Sequence, residues 1–365
     1  MNYQAQERIH GPDVLRGLAA LGVVLFHVLY LSGIPINDTA AAITGRMDFF
    51  VRVFFVLSAF AIGHAYYSRM SSTDAVKAFY QKRFFRIAPL FYFMILTGVV
   101  FRLAMNQPMP PFLDFILSGS FLFTLLPGKQ SGLVGGGWSI GIEWLFYFVF
   151  PMLLSIIRTA KSAAFAWIVL CLIATLSKRY LQEIFDGQLN EFASLNVLAH
   201  SQYFILGLLI LHFRRAGMPT ARNAVQRQAV GIAFLALLAC TIYFLHAPFG
   251  LPEEVLLSIA APSMVVLSIA GFPRWLDNKA TRWLGLVSYS TYLVQFPLIQ
   301  LLQMHGIYAE IDECVGHGGL AFATAALVTL ACVVVTAAFT YYFVEVPGQR
   351  LYDKLRSGKL VPRSR

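Results

Sequence analysis

The chain has few charged residues for its length and no extended polar segment. Of its 365 residues, 13% are charged and 58% are hydrophobic, whereas soluble domains have about 25% charged and roughly 45–50% apolar residues. The polar stretches are short loops between apolar runs. This composition excludes a soluble multidomain enzyme. It predicts an all-α polytopic membrane protein, because a helix satisfies the backbone of a lipid-embedded segment internally.

The chain also lacks the spacing patterns of common metal and cofactor sites. Its cysteines do not form a disulfide framework, since three lie in apolar segments and only Cys314 lies in a polar loop. The histidines are scattered, without the paired spacing of zinc ligands. There is no Gly-x-Ser-x-Gly elbow, Walker loop or dinucleotide fingerprint. The sequence therefore predicts no metal site.

The net charge of +10 comes from basic residues that cluster in short loops. This clustering is typical of cytoplasmic loops in membrane proteins, so it does not indicate nucleic-acid binding. We expect a single transmembrane domain at 1–346 and a short basic cytoplasmic tail at 347–365. The end of that tail, Leu360–Arg363, resembles the core of a protease-cleavage tag; the alternative is a native end.

Ten membrane-spanning helices and one re-entrant segment account best for this charge pattern. A re-entrant 112–137 places the basic loops and both termini on the cytoplasmic side, whereas a full crossing of 112–126 would place several basic loops outside. The first apolar segment contains ionisable residues and no cleavage site, so we expect a retained span rather than a signal peptide. The predicted spans, with boundaries uncertain by several residues, are 13–33, 47–66, 84–105, 138–157, 162–177, 192–212, 229–246, 253–271, 283–304 and 318–343.

Arg16 and His27 are the most informative ionisable residues of the first span. They are eleven residues apart, which is about three helical turns, so both side chains lie on one face, about 16 Å apart along the axis. Asp13 precedes Arg16 by three residues and can pair with it. Taken alone, Arg16 could be an interfacial anchor and His27 a helix–helix contact. Because ionisable groups in a span are costly, their alignment favours a catalytic role for all three residues.

A basic segment, Lys82, Arg83 and Arg86, lies at the start of the third span. Arg83 and Arg86 are three residues apart and share a helix face. They could form an ordinary cytoplasmic boundary. They could also form an anion clamp, because guanidinium groups match phosphate geometry. The second interpretation predicts that these three residues bind a phosphate-rich cytosolic donor.

Trp138, Ser139 and Glu143 follow the glycine run 135–137. In the predicted topology Glu143 lies about 7–8 Å below the outer end of its span, at a depth similar to that of His27. We interpret Glu143 as catalytic and Trp138 and Ser139 as substrate-binding. The alternative for Glu143 is a structural pairing with a basic group.

Polar residues of two other spans complete the candidate site. Tyr289, Tyr292 and Gln295 fall on one stripe of a helix, which could line a cavity or merely bond to neighbouring helices. Arg52 is an ionisable residue within the second span. We predict that all four contribute to substrate binding.

These motifs, in their order along the chain, resemble those of the acyltransferase 3 family of integral membrane acyltransferases. The resemblance covers nearly the whole chain, and the Arg16–His27 spacing with the Trp138-Ser139 to Glu143 element is its most specific part. Further matching elements are Phe54-Phe55-Val-Leu-Ser58, Arg83-Phe-Phe-Arg86-Ile-Ala-Pro89, Phe146-Tyr147, Pro151, Ser288-Tyr289, Tyr292-Leu293, Pro297, Glu345 and Pro347. The chain departs from the family pattern at Ala59, Gln295 and Val346, where glycine, histidine and arginine are common.

The resemblance implies a ten-helix enzyme of the cytoplasmic membrane that moves an acyl group, most often acetyl, from cytosolic acetyl-CoA or another acyl-CoA. The implied acceptor is a hydroxyl of an envelope or exported saccharide. His27 would act as general base, Glu143 would orient the imidazole or the acceptor, and Trp138 would stack on a sugar. Because residue 295 is glutamine, no second histidine is present there. The alternatives are a succinyl transferase and a transporter or flippase whose pathway these polar residues would line.

Overall fold

The fold is an assembly of helices, seen in a computed structural model that describes residues 9–70, 72–184, 190–246 and 253–356. The described residues contain no β-strand. The end of the predicted tail, including Leu360–Arg363, lies outside the described residues. The helices are α1 Gly11–Leu31, α2 Asp38–Thr44, α3 Phe50–Tyr66, α4 Thr73–Ala104, α5 Phe112–Ser120, α6 Trp138–Ile156, α7 Ala160–Ile184, α8 Asn190–Leu195, α9 Val197–Arg215, α10 Ala224–His246, α11 Glu253–Ala270, α12 Lys279–Leu286, α13 Ser288–Met304, α14 Ile307–Val315, α15 Gly319–Thr340 and α16 Val346–Arg356.

Nine helical segments of the described residues are long and apolar enough to cross a membrane. They confirm the prediction of an all-α polytopic membrane protein. They correspond to nine of the predicted spans, and α7 is longer than the predicted 162–177. The nine are Gly11–Leu31, Asp38–Tyr66, Thr73–Ala104, Trp138–Ile156, Ala160–Ile184, Asn190–Arg215, Ala224–Leu245, Glu253–Ala270 and Gly319–Arg356.

The predicted span 283–304 is not one continuous helix. It is divided at Val287 into the short helix α12 and the 17-residue helix α13. Gly285 near this break packs directly against the backbone carbonyl of Asp13 in α1, where a Cβ would clash. The hydroxyl of Ser288 donates to the carbonyl of Gly285 at 2.9 Å. This hydrogen bond connects the first residue of α13 to the last turn of α12.

Segment 112–137 contains only a short helix, as expected for a segment that does not cross fully. Helix α5 has nine residues, which is about 13–14 Å of helix and roughly half of a bilayer core. Turns and a 3₁₀ helix follow it up to α6. The ring of Phe296 lies so close to Gly135 and Gly136 that a Cβ atom at either position would clash with it. Gly136 also has a φ of +72°.

Helix α1 lies at the centre of the assembly and packs on α3, α11, α12, α13 and α15. Small residues bring its neighbours close. Gly11 meets the backbone of Ser268 in α11, and Gly22 meets the ring of Phe50 in α3. Close packing of this kind is typical of membrane helices, where small residues let backbones approach. The buried position of α1 explains how polar side chains on it avoid lipid.

Basic segments from distant parts of the sequence meet at one end of the assembly. The Tyr67 hydroxyl donates to the carbonyl of Arg158 at 3.4 Å, and the Arg215 guanidinium lies 4.2 Å from the Tyr67 ring centroid. At the same end, the Tyr352 hydroxyl of α16 donates to the carbonyl of Ala78 at 3.5 Å. We call this the basic end.

The opposite end of the helices carries a mixture of acidic and basic side chains. Lys178 pairs with Glu254 at 2.7 Å, and the Ser131 hydroxyl donates to Glu191 at 2.5 Å. Because arginine and lysine loops favour the cytoplasm, we expect the basic end to face it. We call the other end the mixed end.

Labelling from one side of the membrane tests this orientation. In a background without the other native cysteines, a cysteine at Asn223 should react only with reagent on the cytoplasmic side, and the native, exposed Cys314 only with reagent on the other side. Labelling of both positions from the same side would contradict the number of crossings expected between them, and labelling of residue 223 only from the outside would contradict the re-entrant 112–137.

Candidate active site

A cavity of about 260 Å³ lies between α1, α3, α4, α6 and α13. Most of the polar residues that the sequence analysis singled out meet here. Its wall brings together cations, one carboxylate and several hydroxyls within the membrane-spanning part of the protein. The ionisable and hydroxyl-bearing residues of the wall are Arg16, Ser58, Tyr66, Arg83, Arg86, Ser139, Glu143, Tyr147, Ser288, Tyr289 and Tyr292. We call this the basic-end cavity, because the ends of α3 and α4 nearest to it carry the basic loops.

Glu143 binds two hydroxyls in this cavity. The Ser58 hydroxyl of α3 donates a short hydrogen bond to Oε1 of Glu143. The Tyr147 hydroxyl, one turn further along α6, donates to the same oxygen at 2.5 Å. The i,i+4 spacing of Glu143 and Tyr147 could have revealed this pair in the sequence. Ser58, in contrast, lies 85 residues away along the chain, and no local pattern connects it to Glu143.

Arg83 offers an unused hydrogen-bond donor. Its Nε is buried and has no hydrogen-bond partner. Its guanidinium lies 5.8 Å from the ring centroids of both Tyr66 and Tyr147, a geometry that favours a cation. Lys82 next to it is exposed and does not line the cavity. Of the predicted basic cluster, Arg83 is therefore the residue that lines the cavity and has a buried N–H group without a protein partner.

Arg86 also lines the cavity but is held by a buried carboxylate. It forms an ion pair with Glu345, whose side chain is 1% exposed. The second oxygen of Glu345 accepts from Ser290 at 2.9 Å, and Gln349 donates to the first at 3.2 Å. The Arg86 guanidinium lies 5.7 Å from the Tyr289 ring centroid. This network fixes Arg86 in place.

Glu345 ends a five-residue π-helix, Tyr341–Glu345, between α15 and α16. Such wide turns are rare and are frequent at functional sites. The turn directs the carboxylate inward at a position where the sequence alone suggests only a boundary residue. Its partner Arg86 lies 259 positions away along the chain, so no spacing rule predicts the pair.

Arg16 and Asp13 lie together on α1, as their spacing predicts. The Arg16 Nη1 and the Asp13 Oδ1 are 3.6 Å apart. Arg16 lines the basic-end cavity, whereas Asp13 lies outside its wall. The backbone of Asp13 instead contacts Gly285.

His27 is bound by Gln295, the residue that stands in the place of the family's frequent histidine. The Nδ1 of His27 and the Oε1 of Gln295 are 3.1 Å apart. The amide nitrogen of Gln295 donates to the carbonyl of Tyr292 at 2.9 Å, which turns its oxygen toward the imidazole. A carbonyl oxygen only accepts, so Nδ1 of His27 donates, and Nε2 is the acceptor in neutral imidazole. Phe296 covers the ring at a centroid distance of 4.2 Å.

Tyr292 and Ser139 connect the cavity to this histidine. The Ser139 hydroxyl donates to the Tyr292 hydroxyl at 2.8 Å, and the Tyr292 hydroxyl donates to the carbonyl of Gly136 at 3.0 Å. Both residues line the basic-end cavity. Gln295 follows Tyr292 by three residues, a rise of about 4.5 Å along α13. The imidazole therefore lies about one turn beyond the part of the wall that these hydroxyls form.

Two residues of the predicted substrate site, Trp138 and Arg52, lie away from this cavity. The Trp138 ring packs on His200 at 5.1 Å and on Phe55 at 6.2 Å, and it does not line the cavity. Arg52 pairs with Asp48 in a separate cavity at the mixed end.

Within the described residues, no hydrogen bond joins His27 to Glu143. Nor do these residues contain a group of three histidine, cysteine or acidic residues that could hold a metal ion.

Comparison of the sequence with known proteins identifies the family of this chain. Residues 9–344 match a family model described as an acyltransferase domain. The chain is 26% identical to the acyltransferase MdmB of Streptomyces mycarofaciens, over 95% of this chain and 93% of that protein. It is 25% identical to nodulation protein 10 of Rhizobium leguminosarum bv. viciae, over 95% of each chain.

A third relative is the peptidoglycan O-acetyltransferase OatA of Listeria monocytogenes, at 22% identity over 79% of this chain and 49% of that protein. The chain thus aligns with about half of OatA. No solved structure matches the chain. Because the family match covers most of the sequence, including Arg16, His27, Arg83, Arg86 and Glu143, the chain belongs to the acyltransferase 3 family of membrane acyltransferases.

Proposed function

We propose that this protein transfers an acyl group, acetyl in the first instance, from acyl-CoA to a hydroxyl of an envelope or exported saccharide. The observation that carries the proposal is the basic-end cavity, which combines a free arginine donor with a path of hydroxyls toward His27. The family match supports acyl transfer over the transport of a glycan or anion. We further propose that the membrane is the cytoplasmic one, so that the basic end meets cytosolic acyl-CoA.

The two arginines of α4 have different roles in this proposal. Arg83 binds the phosphates of acyl-CoA through its unused donor, since a guanidinium forms charge-assisted hydrogen bonds with phosphate oxygens. Arg86, which is paired with Glu345, adds positive electrostatic potential to the cavity and stabilises the packing of its wall. Arg16, from α1, contributes a third cation further along the wall. Lys82, exposed beside the cavity, acts at most in the first approach of the anionic donor.

The acyl end of the donor extends past Tyr292 and Ser139 toward His27. There, Nε2 of His27 takes the proton of the acceptor hydroxyl while its oxygen attacks the thioester carbonyl. The tetrahedral intermediate collapses to the ester, and the C–S bond breaks to release the CoA thiolate. The proton held by His27 then passes to this thiolate, directly or through water.

Gln295 is a positioning residue for this step. Its oxygen holds Nδ1 of His27 as the donor, which leaves the lone pair on Nε2 for the acceptor. Glu143 acts at the other side of the site, where it arranges the hydroxyls of Ser58 and Tyr147 around the donor. The pairing of Asp13 with Arg16 keeps that cation oriented on the central helix.

Replacement of Arg83 with alanine tests donor binding. The variant should lose one charge-assisted hydrogen bond, contributing about 1.5–3 kcal/mol, so acyl-CoA affinity should fall roughly 10- to 150-fold. Isothermal titration of the purified protein with acetyl-CoA measures this change. Lys82→Ala is the matched control, because Lys82 is adjacent and exposed outside the cavity, and its affinity should change little. Equal affinities of wild type and Arg83→Ala would contradict the donor site.

Replacement of His27 with alanine tests the catalytic step. Loss of a general base typically lowers the rate about 10²–10⁴-fold, so acetyl ester formation on envelope glycans should almost disappear. Acetyl-CoA affinity should remain, because His27 lies outside the donor cavity. Mass spectrometry of the glycans measures the product. His305→Ala, which removes an exposed histidine at the end of α13, is the control. Near-normal ester content with His27→Ala would refute the proposed chemistry.

A further inference from the structure

A second polar cavity, of about 270 Å³, lies at the mixed end. It is enclosed by the loop after α2, the first turns of α3 and α11, and parts of α7 and α9. We call it the mixed-end cavity. Its wall consists of Phe26, Gly45, Arg46, Asp48, Arg52, Lys178, Ser194, Ala199, His200, Tyr203, Glu253, Glu254 and Leu257.

The charges of this wall balance, with three cationic and three anionic side chains. Arg52 pairs with Asp48 at 2.7 Å and approaches Glu253 at 3.9 Å. Lys178 pairs with Glu254 at 2.7 Å. Each paired carboxylate and cation keeps further lone pairs or N–H groups for a ligand. The cavity therefore offers both donors and acceptors without a net charge.

His200 gives the cavity a buried acceptor without a partner. The residue is 3% exposed and lines the cavity. Its Nε2 lies 2.9 Å from the carbonyl of Ser194, so Nε2 donates there. Nδ1 is buried and has no hydrogen-bond partner, and in neutral imidazole it is an acceptor. A buried polar atom left without a partner is costly, which points to a ligand that donates a hydrogen bond.

The mixed-end cavity approaches His27 from the side opposite to the acyl donor. Phe26 lines it, and the Phe26 ring lies 5.0 Å from the imidazole of His27 in an edge-to-face arrangement. On the other side of His27, Gln295 leads to Tyr292 and the basic-end cavity. The histidine thus lies between two polar cavities that belong to opposite ends of the protein.

We infer that the mixed-end cavity binds the acceptor, and that the acceptor there is an uncharged polyhydroxylated unit, such as a neutral sugar residue. This inference rests on the proposed function. A sugar hydroxyl donates to a carboxylate or to Nδ1 of His200 and accepts from a guanidinium or ammonium at the same time. An anionic acceptor would meet three carboxylates, and an apolar one would leave the unused donors and acceptors of the wall's charged groups without solvent or ligand partners. The neutral polyol is the class that satisfies the whole wall.

A charge swap separates ligand recognition from a structural ion pair. Lys178→Glu combined with Glu254→Lys keeps the pair and the net charge but exchanges the positions of donor and acceptors. The swap should bind acetyl-CoA within about twofold of wild type. It should lower the acetate ester content of envelope glycans at least about tenfold, which is the effect expected from the loss of one charge-assisted hydrogen bond. Arg179→Glu, an exposed neighbour outside the wall, is the control and should keep normal ester content.

Ester content is measured by mass spectrometry in cells that lack their own copy of the gene and express each variant. Normal ester content in the swap would show a purely structural ion pair and overturn the inference. If the swap does not fold, Ala199→Leu decides, because it fills part of the cavity with an apolar side chain. It should lower ester content with unchanged acetyl-CoA affinity, and normal content would again overturn the inference.

The same cells distinguish this inference from the proposed function. A wild-type protein that forms no ester, or a His27→Ala protein that still forms it, refutes the proposed function itself. A wild type that forms ester, together with inactive His27→Ala and fully active cavity variants, refutes only the acceptor site.

Discussion

The cost of a polar group inside a membrane is the constraint on which the rest of this structure depends. Lipid offers no hydrogen bonds, so each spanning segment is helical and each internal charge needs a protein partner or a cavity. The chain meets this requirement by placing its polar helix α1 at the centre, surrounded by α3, α11, α12, α13 and α15. Glycines at the contacts let these helices approach closely. Arg86 and Glu345 show the same constraint in one pair, since the cation of Arg86 is met by a carboxylate whose side chain is 1% exposed.

The polar interior that results has two parts with different electrostatics. The basic-end cavity carries three arginines and a single carboxylate, which suits an anionic donor. The mixed-end cavity has equal numbers of cations and carboxylates, which suits a neutral, hydroxyl-rich molecule. His27 lies between them, oriented by Gln295 and covered by Phe296. The proposed reaction, with substrates from opposite sides of the membrane, uses this separation, because the donor and acceptor sites remain distinct while their reactive ends meet at one imidazole.

Local spacing predicted what lies within one helix and failed for what helices bring together. The helical phase of Arg16 and His27 and the charge pattern of the loops predicted the polar face of α1 and the grouping of basic segments at one end. The partners of Arg86 and His27 could not be predicted, because Glu345 and Gln295 are separated from them by more than 250 positions. For Trp138 and Arg52, the sequence identified polar or aromatic residues in spans. Their directions depend on tertiary packing, which sets Trp138 on His200 and Arg52 in the second cavity.

The most direct measurement is an experimental structure of the protein in lipid nanodiscs with a non-hydrolysable acetyl-CoA analogue. We expect phosphate density within hydrogen-bond distance of Arg83, and the acyl end of the analogue beyond Tyr292 on the side of His27. The mixed-end cavity should remain free of the analogue. Phosphate density at the mixed end, or an acyl group directed away from His27, would contradict the assignment of the donor site and with it the proposed path of transfer.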